Sequence, residues 1–236
     1  VDDNLMNRYS DNVKIYANAY VSVEFMKGLK YKLNLTPDFQ FYRYNSYLGL
    51  YDYGLNKNDI TQVTEQQTRT RNVLVENLLT FDRTFGDHKI SVLAGYTYQD
   101  SRYRYMQGSG QGMPTGIREI DAAAQGLAVS GNSNRSVLTS ILGRAFYSYK
   151  NRYLLTATIR RDGSSKFGSN NRYGNFPSFS AGWNIAEEDF VKNNVSWLDQ
   201  LKLRGGYGVL GNQEIDNYQY VSVVTTGINY PDGKSG

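Results

Sequence analysis

Between Val13 and Val209 the chain is a succession of period-two runs whose connections alternate between short and long, and few folds accommodate both features. The first run, VKIYANAYVSV, sets Val13, Ile15, Ala17, Ala19, Val21 and Val23 on one face against Lys14, Tyr16, Asn18, Tyr20 and Ser22 on the other. Further runs begin near Leu29, Arg69, His88, Arg135, Tyr153, Phe176 and Leu201, which makes about eight candidate strands. Short turns are expected around Lys27, around Gly86 and at Lys150 and Asn151, with long loops at 42–68, 103–134 and 162–175. The link 187–200 is intermediate and interrupts the alternation. An antiparallel meander with tight turns on one rim and large loops on the other is the plan of an outer-membrane barrel.

Strand length points the same way. Several runs hold ten or more residues, whereas a globular strand has about five or six and a tilted membrane strand needs about nine to eleven. A soluble β-sandwich would explain the alternation equally well, with its apolar face on a second sheet and its polar face in water. Tyrosine at the ends of apolar faces, as at Tyr96 and Tyr98 or Tyr147 and Tyr149, favours lipid, because a ring at the interface buries its body and keeps its hydroxyl wet. The composition fits, with 21 Tyr and 10 Phe beside 23 Gly and 4 Pro. A mean hydropathy of -0.56 does not oppose a barrel, which gives only alternate residues to lipid. No window reaches the ~20 consecutive apolar residues of a spanning helix, so only a barrel could cross a membrane.

Other chemistries find little support. The net charge of +4 is scattered rather than gathered in a run, so nucleic acid is not an expected partner. Absence of cysteine excludes disulfides, thiolate metal sites and a cysteine nucleophile together. The single histidine, His88, sits in the turn FGDHK, a poor scaffold for a triad or a metal site. The carboxylates Asp2, Asp3, Glu187, Glu188 and Asp189 occur in runs, which read as solvated faces rather than a glycosidase pair. GSGQGMPTG lacks the Gly-Lys-Ser/Thr ending of a phosphate loop. RRDGSSKFGSNNRYG lacks the spacing and final Glu of a calcium loop and reads as a hairpin connection. No catalytic residue, metal ligand or cofactor is expected.

Residues 153–190, YLLTATIRRDGSSKFGSNNRYGNFPSFSAGWNIAEEDF, followed by LKLRGGYGVLGNQEI at 201–215, resemble the barrel of the SusC/RagA family of TonB-dependent outer-membrane transporters. ENLLTFDRTFGDHKISVLAGYTYQ at 76–99 is similar to the same barrel, so the likeness extends from about residue 69 to residue 215. The combined spacing of RRDGSSKFG, FPSFSAGW and YGVLGNQ carries it. The resemblance implies an all-β fold, a barrel of about 22 strands closed around a plug. It implies energy from the TonB complex, a SusD-like surface lipoprotein over the extracellular mouth, and oligosaccharide or oligopeptide cargo. Residues 1–236 are then expected to form one segment of the transmembrane barrel in outer-membrane lipid, without the plug or TonB box. A passive porin is the alternative within the same architecture.

Within that frame, Tyr42, Tyr44 and Tyr47 with Arg102, Tyr103, Arg104 and Tyr105 are expected at the long-loop rim, where aromatic faces stack on cargo and guanidinium groups donate to it. Aromatic girdle and loop packing are the competing roles. Glu76, Arg144 and Arg160 are expected to face the lumen, where ion pairs would hold the plug.

Overall fold

Pairing follows the period-two runs in chain order. The computed structural model describes residues 5–195 and 197–219; Asp2, Asp3 and the closing TTGINYPDGKSG lie outside the described residues. The strands are β1 (Met6–Tyr16), β2 (Ala19–Met26), β3 (Leu29–Leu48), β4 (Tyr51–Asp52), β5 (Lys57–Asn58), β6 (Gln62–Phe85), β7 (His88–Gln111), β8 (Gln125–Tyr149), β9 (Tyr153–Ser164), β10 (Tyr173–Asn184) and β11 (Lys202–Gly208). The short β4 and β5 form a separate ribbon, and the others make one antiparallel sheet in the order β1-β3-β6-β7-β8-β9-β10-β11, with β2 also on β3.

Strands β1 and β2 are one strand with a break. Tyr16 pairs with Asp38 and Ala19 with Leu35, so the register is unchanged across the gap. Opposite the gap is Pro37, which has no N–H to give the ladder. The Ala17 N–H still donates to the Pro37 carbonyl at 3.1 Å.

The strands run past the ends expected from the sequence. Strands β6 and β7 have 24 residues each, roughly 80 Å at 3.3 Å per residue and about twice what a tilted membrane span needs. The loops expected at 42–68 and 103–134 shrink to 49–61 and 112–124. Beyond the membrane both faces of these strands are polar, so the hydrophobic period that marks a strand vanishes while backbone pairing continues.

Register sorts the side chains into two faces. Tyr31, Leu79, Ala94, Gly143, Ile159 and Pro177 stand in one row across β3, β6, β7, β8, β9 and β10. Most of their neighbours at every second position are apolar; Asn77, Arg161 and Asn175 are the polar ones. Row by row this outward face is the exposed one: Tyr153, Leu155, Ala157 and Ile159 are exposed while Leu154, Thr156 and Thr158 between them are half-buried. Val21 is 62% and Ile159 57% exposed, the reverse of a water-soluble domain. The small buried apolar core among the described residues comprises Tyr47, Val63, Met113, Ala186 and Val191. An outward apolar surface needs lipid, and among the described residues the sandwich alternative lacks the second layer it requires.

The apolar band also slides along the register. On β3 it continues beyond Tyr31 through Leu33, Leu35, Pro37, Phe39 and Phe41, whereas on β9 the residue beyond Ile159 is Arg161. A band of constant height crosses the rows obliquely only if the strands are tilted to it, as barrel closure requires. Two polar residues interrupt the band: Thr139, whose hydroxyl donates to the Gly163 carbonyl at 3.4 Å, and Asn77, to whose Oδ1 Tyr31 on the neighbouring strand donates its hydroxyl at 2.6 Å. The bond from Tyr31 satisfies the amide oxygen and so lowers the cost of the amide in hydrocarbon.

Candidate binding surface on the polar face

The inward face divides into a charged lower part and an uncharged upper part. In the lower part Asn18 donates to Asn34 Oδ1 (2.9 Å), and Asn34 donates to Glu76 Oε2 (2.8 Å). Glu76 shares a row with Thr97, Ser140 and Asp162. Arg160, one row below, donates through Nε to Asp162 (2.6 Å) and through Nη2 to Ser140 (3.1 Å). Arg144 stands a row lower again, opposite Leu93 and Thr158. Glu76, Arg144 and Arg160 thus all lie on the polar face. Glu76 and Arg160 are tied to neighbours within the wall, and no carboxylate lies within ion-pair distance of Arg144 among the described residues.

Above them the register lines up Tyr42, Thr68, Tyr105 and Asn132 in one row. The row below holds Gln40, Thr70, Tyr103 and Asn134, and the row above holds Tyr44, Gln66, Gln107 and Ser130. Every one of these side chains is uncharged. Tyr42 and Tyr105 are two strand spacings apart, roughly 10 Å, with only Thr68 between them. The Tyr105 hydroxyl donates to Gln107 Oε1 at 2.5 Å, which orients the ring. Lys14, at the margin of the patch, is taken up by Asp38 at 3.3 Å.

The seven residues expected together at the rim are therefore divided by the sheet. They stand on strands rather than loops, and the period of two sends Tyr42, Tyr44, Tyr103 and Tyr105 inward and Tyr47, Arg102 and Arg104 outward. Tyr47 is 3% exposed and packs with Val63, Met113 and Ile120, so segment 112–124 folds down over the outer face there. Arg118 lies 5.3 Å over the Tyr47 ring. Strict alternation across SRYRYMQ could have separated arginines from tyrosines; proximity in sequence concealed it.

Beside Arg160, a cavity of about 320 Å³ is lined by Asp162, Phe167, Tyr173, Phe176 and Gln213 among others. It brings the three spaced motifs into contact. Tyr173 lies on Gly163, where a Cβ would stand 2.4 Å from Cε1 of the ring, and Phe176 lies on Gly211 with a corresponding distance of 2.2 Å. Lys166 Nζ donates to the Gln213 carbonyl at 3.4 Å.

At the opposite end, Lys150 and Asn151 take positive φ (49° and 54°) in a tight turn closed by Arg152 N–H on the Tyr149 carbonyl. Glu188 is not the solvated carboxylate expected from its run. It is buried, and its Oε1 accepts from the Tyr153 hydroxyl (2.7 Å) and the Trp183 Nε1 (2.9 Å), while Arg152 donates to Oε2 (3.2 Å). The hydrogen bonds from Tyr153 and Trp183, and then the Arg152 charge, hold its carboxyl below the ordinary range. Asp189 takes the other Arg152 nitrogen. His88 belongs to the same rim, with Nδ1 2.8 Å from the Tyr147 hydroxyl and its ring 4.8 Å from Tyr149. In the aromatic girdle at the turn side, Tyr147, Tyr153 and Trp183 thus have their polar tips satisfied.

No protein-family model matches the chain. Among curated proteins, TonB-dependent receptor P3 of Formosa agariphila is 34% identical over 213 residues, 86% of this chain and 20% of that protein. TonB-dependent receptor SusC of Bacteroides thetaiotaomicron is 46% identical over 99 residues, 42% of this chain and 10% of SusC. Among solved structures, that of the RagAB peptide transporter superposes with a TM-score of 0.88 at 22% identity, over 98% of this chain and 26% of the matched one. The chain spans about a fifth of the length of the Formosa receptors it matches.

Proposed function

Since the chain belongs to the SusC/RagA family of TonB-dependent outer-membrane transporters, as a segment of the barrel, we propose that it forms part of the wall and mouth of a conduit for active import of oligomeric nutrient. The whole transporter would draw its energy from the TonB complex through a plug and be lidded by a SusD-like lipoprotein. Arg144 and its lower-face neighbours would meet the plug. The chain does no covalent chemistry in this reading.

Of the two cargo classes, oligosaccharide and oligopeptide, the uncharged upper face favours neutral oligosaccharide. Tyr42 and Tyr105 offer ring faces, and Gln40, Gln66, Gln107 and the threonines offer amides and hydroxyls. Sugars present apolar ring faces and a rim of hydroxyls that match such a set. Oligopeptides carry charged termini that would meet one cation in these rows, Lys14 opposite Gln40, which is already paired with Asp38 at 3.3 Å. In the full-length receptor, calorimetric titration with mixed neutral oligosaccharides is expected to show binding that Tyr42→Ala/Tyr105→Ala weakens roughly tenfold, at about 0.5–1.5 kcal/mol per ring. Saccharide binding indifferent to both substitutions, or binding of oligopeptides alone, would refute this assignment.

A further inference from the structure

Where the apolar band ends on the long-loop side, the outward face turns to arginine on every strand from β6 to β9. Beyond Val73, β6 presents Arg71 and Arg69; beyond Tyr98, β7 presents Asp100, Arg102 and Arg104; beyond Val137, β8 presents Arg135; beyond Ile159, β9 presents Arg161. All six arginines are exposed. Register sets Arg71, Arg102 and Arg135 side by side and Arg69 opposite Arg104.

Like charges directly opposite one another on neighbouring strands destabilise a sheet. Asp100 answers part of this, 3.1 Å from Arg102 and 2.9 Å from Arg135. Among the described residues no carboxylate lies within ion-pair distance of Arg69, Arg71 or Arg104; Arg71 rests 6.0 Å over the Phe39 ring. Glu65 is the next outward acid on β6, two outward positions past Arg69. The turn-side end of the same face is built differently, from Tyr147, Tyr149, Tyr153, Trp183 and His88 with Arg83.

We propose that this arginine belt binds phosphate groups carried by lipid of the outer leaflet. Three observations single out that ligand. The belt adjoins the lipid-facing band on the same face, so it stands at headgroup height. It consists of arginine without lysine, and the guanidinium fork matches phosphate oxygens two at a time. Arg69, Arg71 and Arg104, which have no carboxylate partner among the described residues, stand within one strand spacing, about 4.8 Å, and one row of one another, so a single phosphate can bridge two of them. The inference depends on the outward orientation of the sheet and not on the cargo.

The test uses the full-length receptor in detergent, with native mass spectrometry reading lipid retention. Diphosphorylated lipid A, its dephosphorylated counterpart and inorganic pyrophosphate are the probes. Retention of the diphosphorylated lipid is expected, with affinity falling roughly a hundredfold in Arg69→Gln/Arg71→Gln/Arg104→Gln, as three surface arginines facing anionic headgroups would give. Unchanged affinity in the variant, equal retention of the dephosphorylated lipid, or pyrophosphate bound as tightly as the lipid would each overturn the proposal, the last by revealing a site for free anions. Heat-dependent gel mobility reports whether the variant folds; if it does not, Arg104→Gln alone carries the same comparison, with about a fivefold loss expected.

Discussion

Arginine at Ala94 is expected to destabilise the barrel by about 2–4 kcal/mol, the cost of that side chain on the lipid face near the bilayer midplane. Ala94 is at the centre of the outward stripe Ile90, Val92, Ala94, Tyr96 and Tyr98, between Leu79 and Gly143 on the adjoining strands. Its side chain is a methyl group, so the substitution adds the transfer cost without removing much packing. Thr97, on the same strand, points the other way and stands between Glu76 and Ser140. Arginine there gains a carboxylate neighbour and should change stability by no more than about 0.5 kcal/mol. Urea unfolding of the full-length receptor in lipid vesicles separates the two. Equal costs would mean that the sheet does not divide lipid from water.

A second large loss is expected from Gly211→Val. A Cβ at Gly211 would stand 2.2 Å from Cζ and 2.4 Å from Cε1 of Phe176, inside the closest approach atoms tolerate. The ring must swing away or the 211–213 segment must lift, an overpacking penalty of about 1–3 kcal/mol. Either movement also disturbs the cavity between Arg160 and Gln213. Repeating the substitution in a Phe176→Ala background should recover most of the loss, because the ring is the obstacle. A penalty undiminished in that background would mean that Gly211 is required for some other reason. The contact gives a physical meaning to the motif spacing: RDGSSKFG, FPSF and YGVLGNQ are distant in sequence but enclose one cavity.

The membrane part of this fold was legible because physics writes it with period two. Tyr153 to Ile159 alternate as the structure does, and the tight turn at Lys150 and Asn151 was marked by the short KNR between two strong runs. The extramembrane strands were illegible for the complementary reason. From Tyr42 to Leu48 and from Arg102 to Gln111 neither face contacts lipid, so the apolar face that marks a membrane strand is missing and the segments resemble loops. From sequence alone Tyr42, Tyr44, Tyr47, Arg102, Tyr103, Arg104 and Tyr105 fall in one rim cluster, whereas strand geometry gives the tyrosines other than Tyr47 to the inside and the arginines to the outside. Exceptions within the band have pairwise causes that a single sequence does not display: Asn77 is tolerated because Tyr31, 46 residues away, reaches its carbonyl oxygen. Glu188 is the same case, since its burial depends on Arg152, Tyr153 and Trp183 arriving from other strands and turns.

The orientation of the two faces underlies the proposed conduit, mouth and arginine belt alike, and this segment contributes no cysteine of its own to the labelling. Single cysteines from residue 154 to residue 160, introduced into the full-length receptor and spin-labelled in lipid vesicles, report contact with oxygen dissolved in lipid against a water-soluble nickel chelate. Leu155, Ala157 and Ile159 should favour oxygen and Leu154, Thr156, Thr158 and Arg160 the chelate, in strict alternation. Uniform accessibility along the strand, or alternation of the opposite phase, would contradict the barrel wall described above.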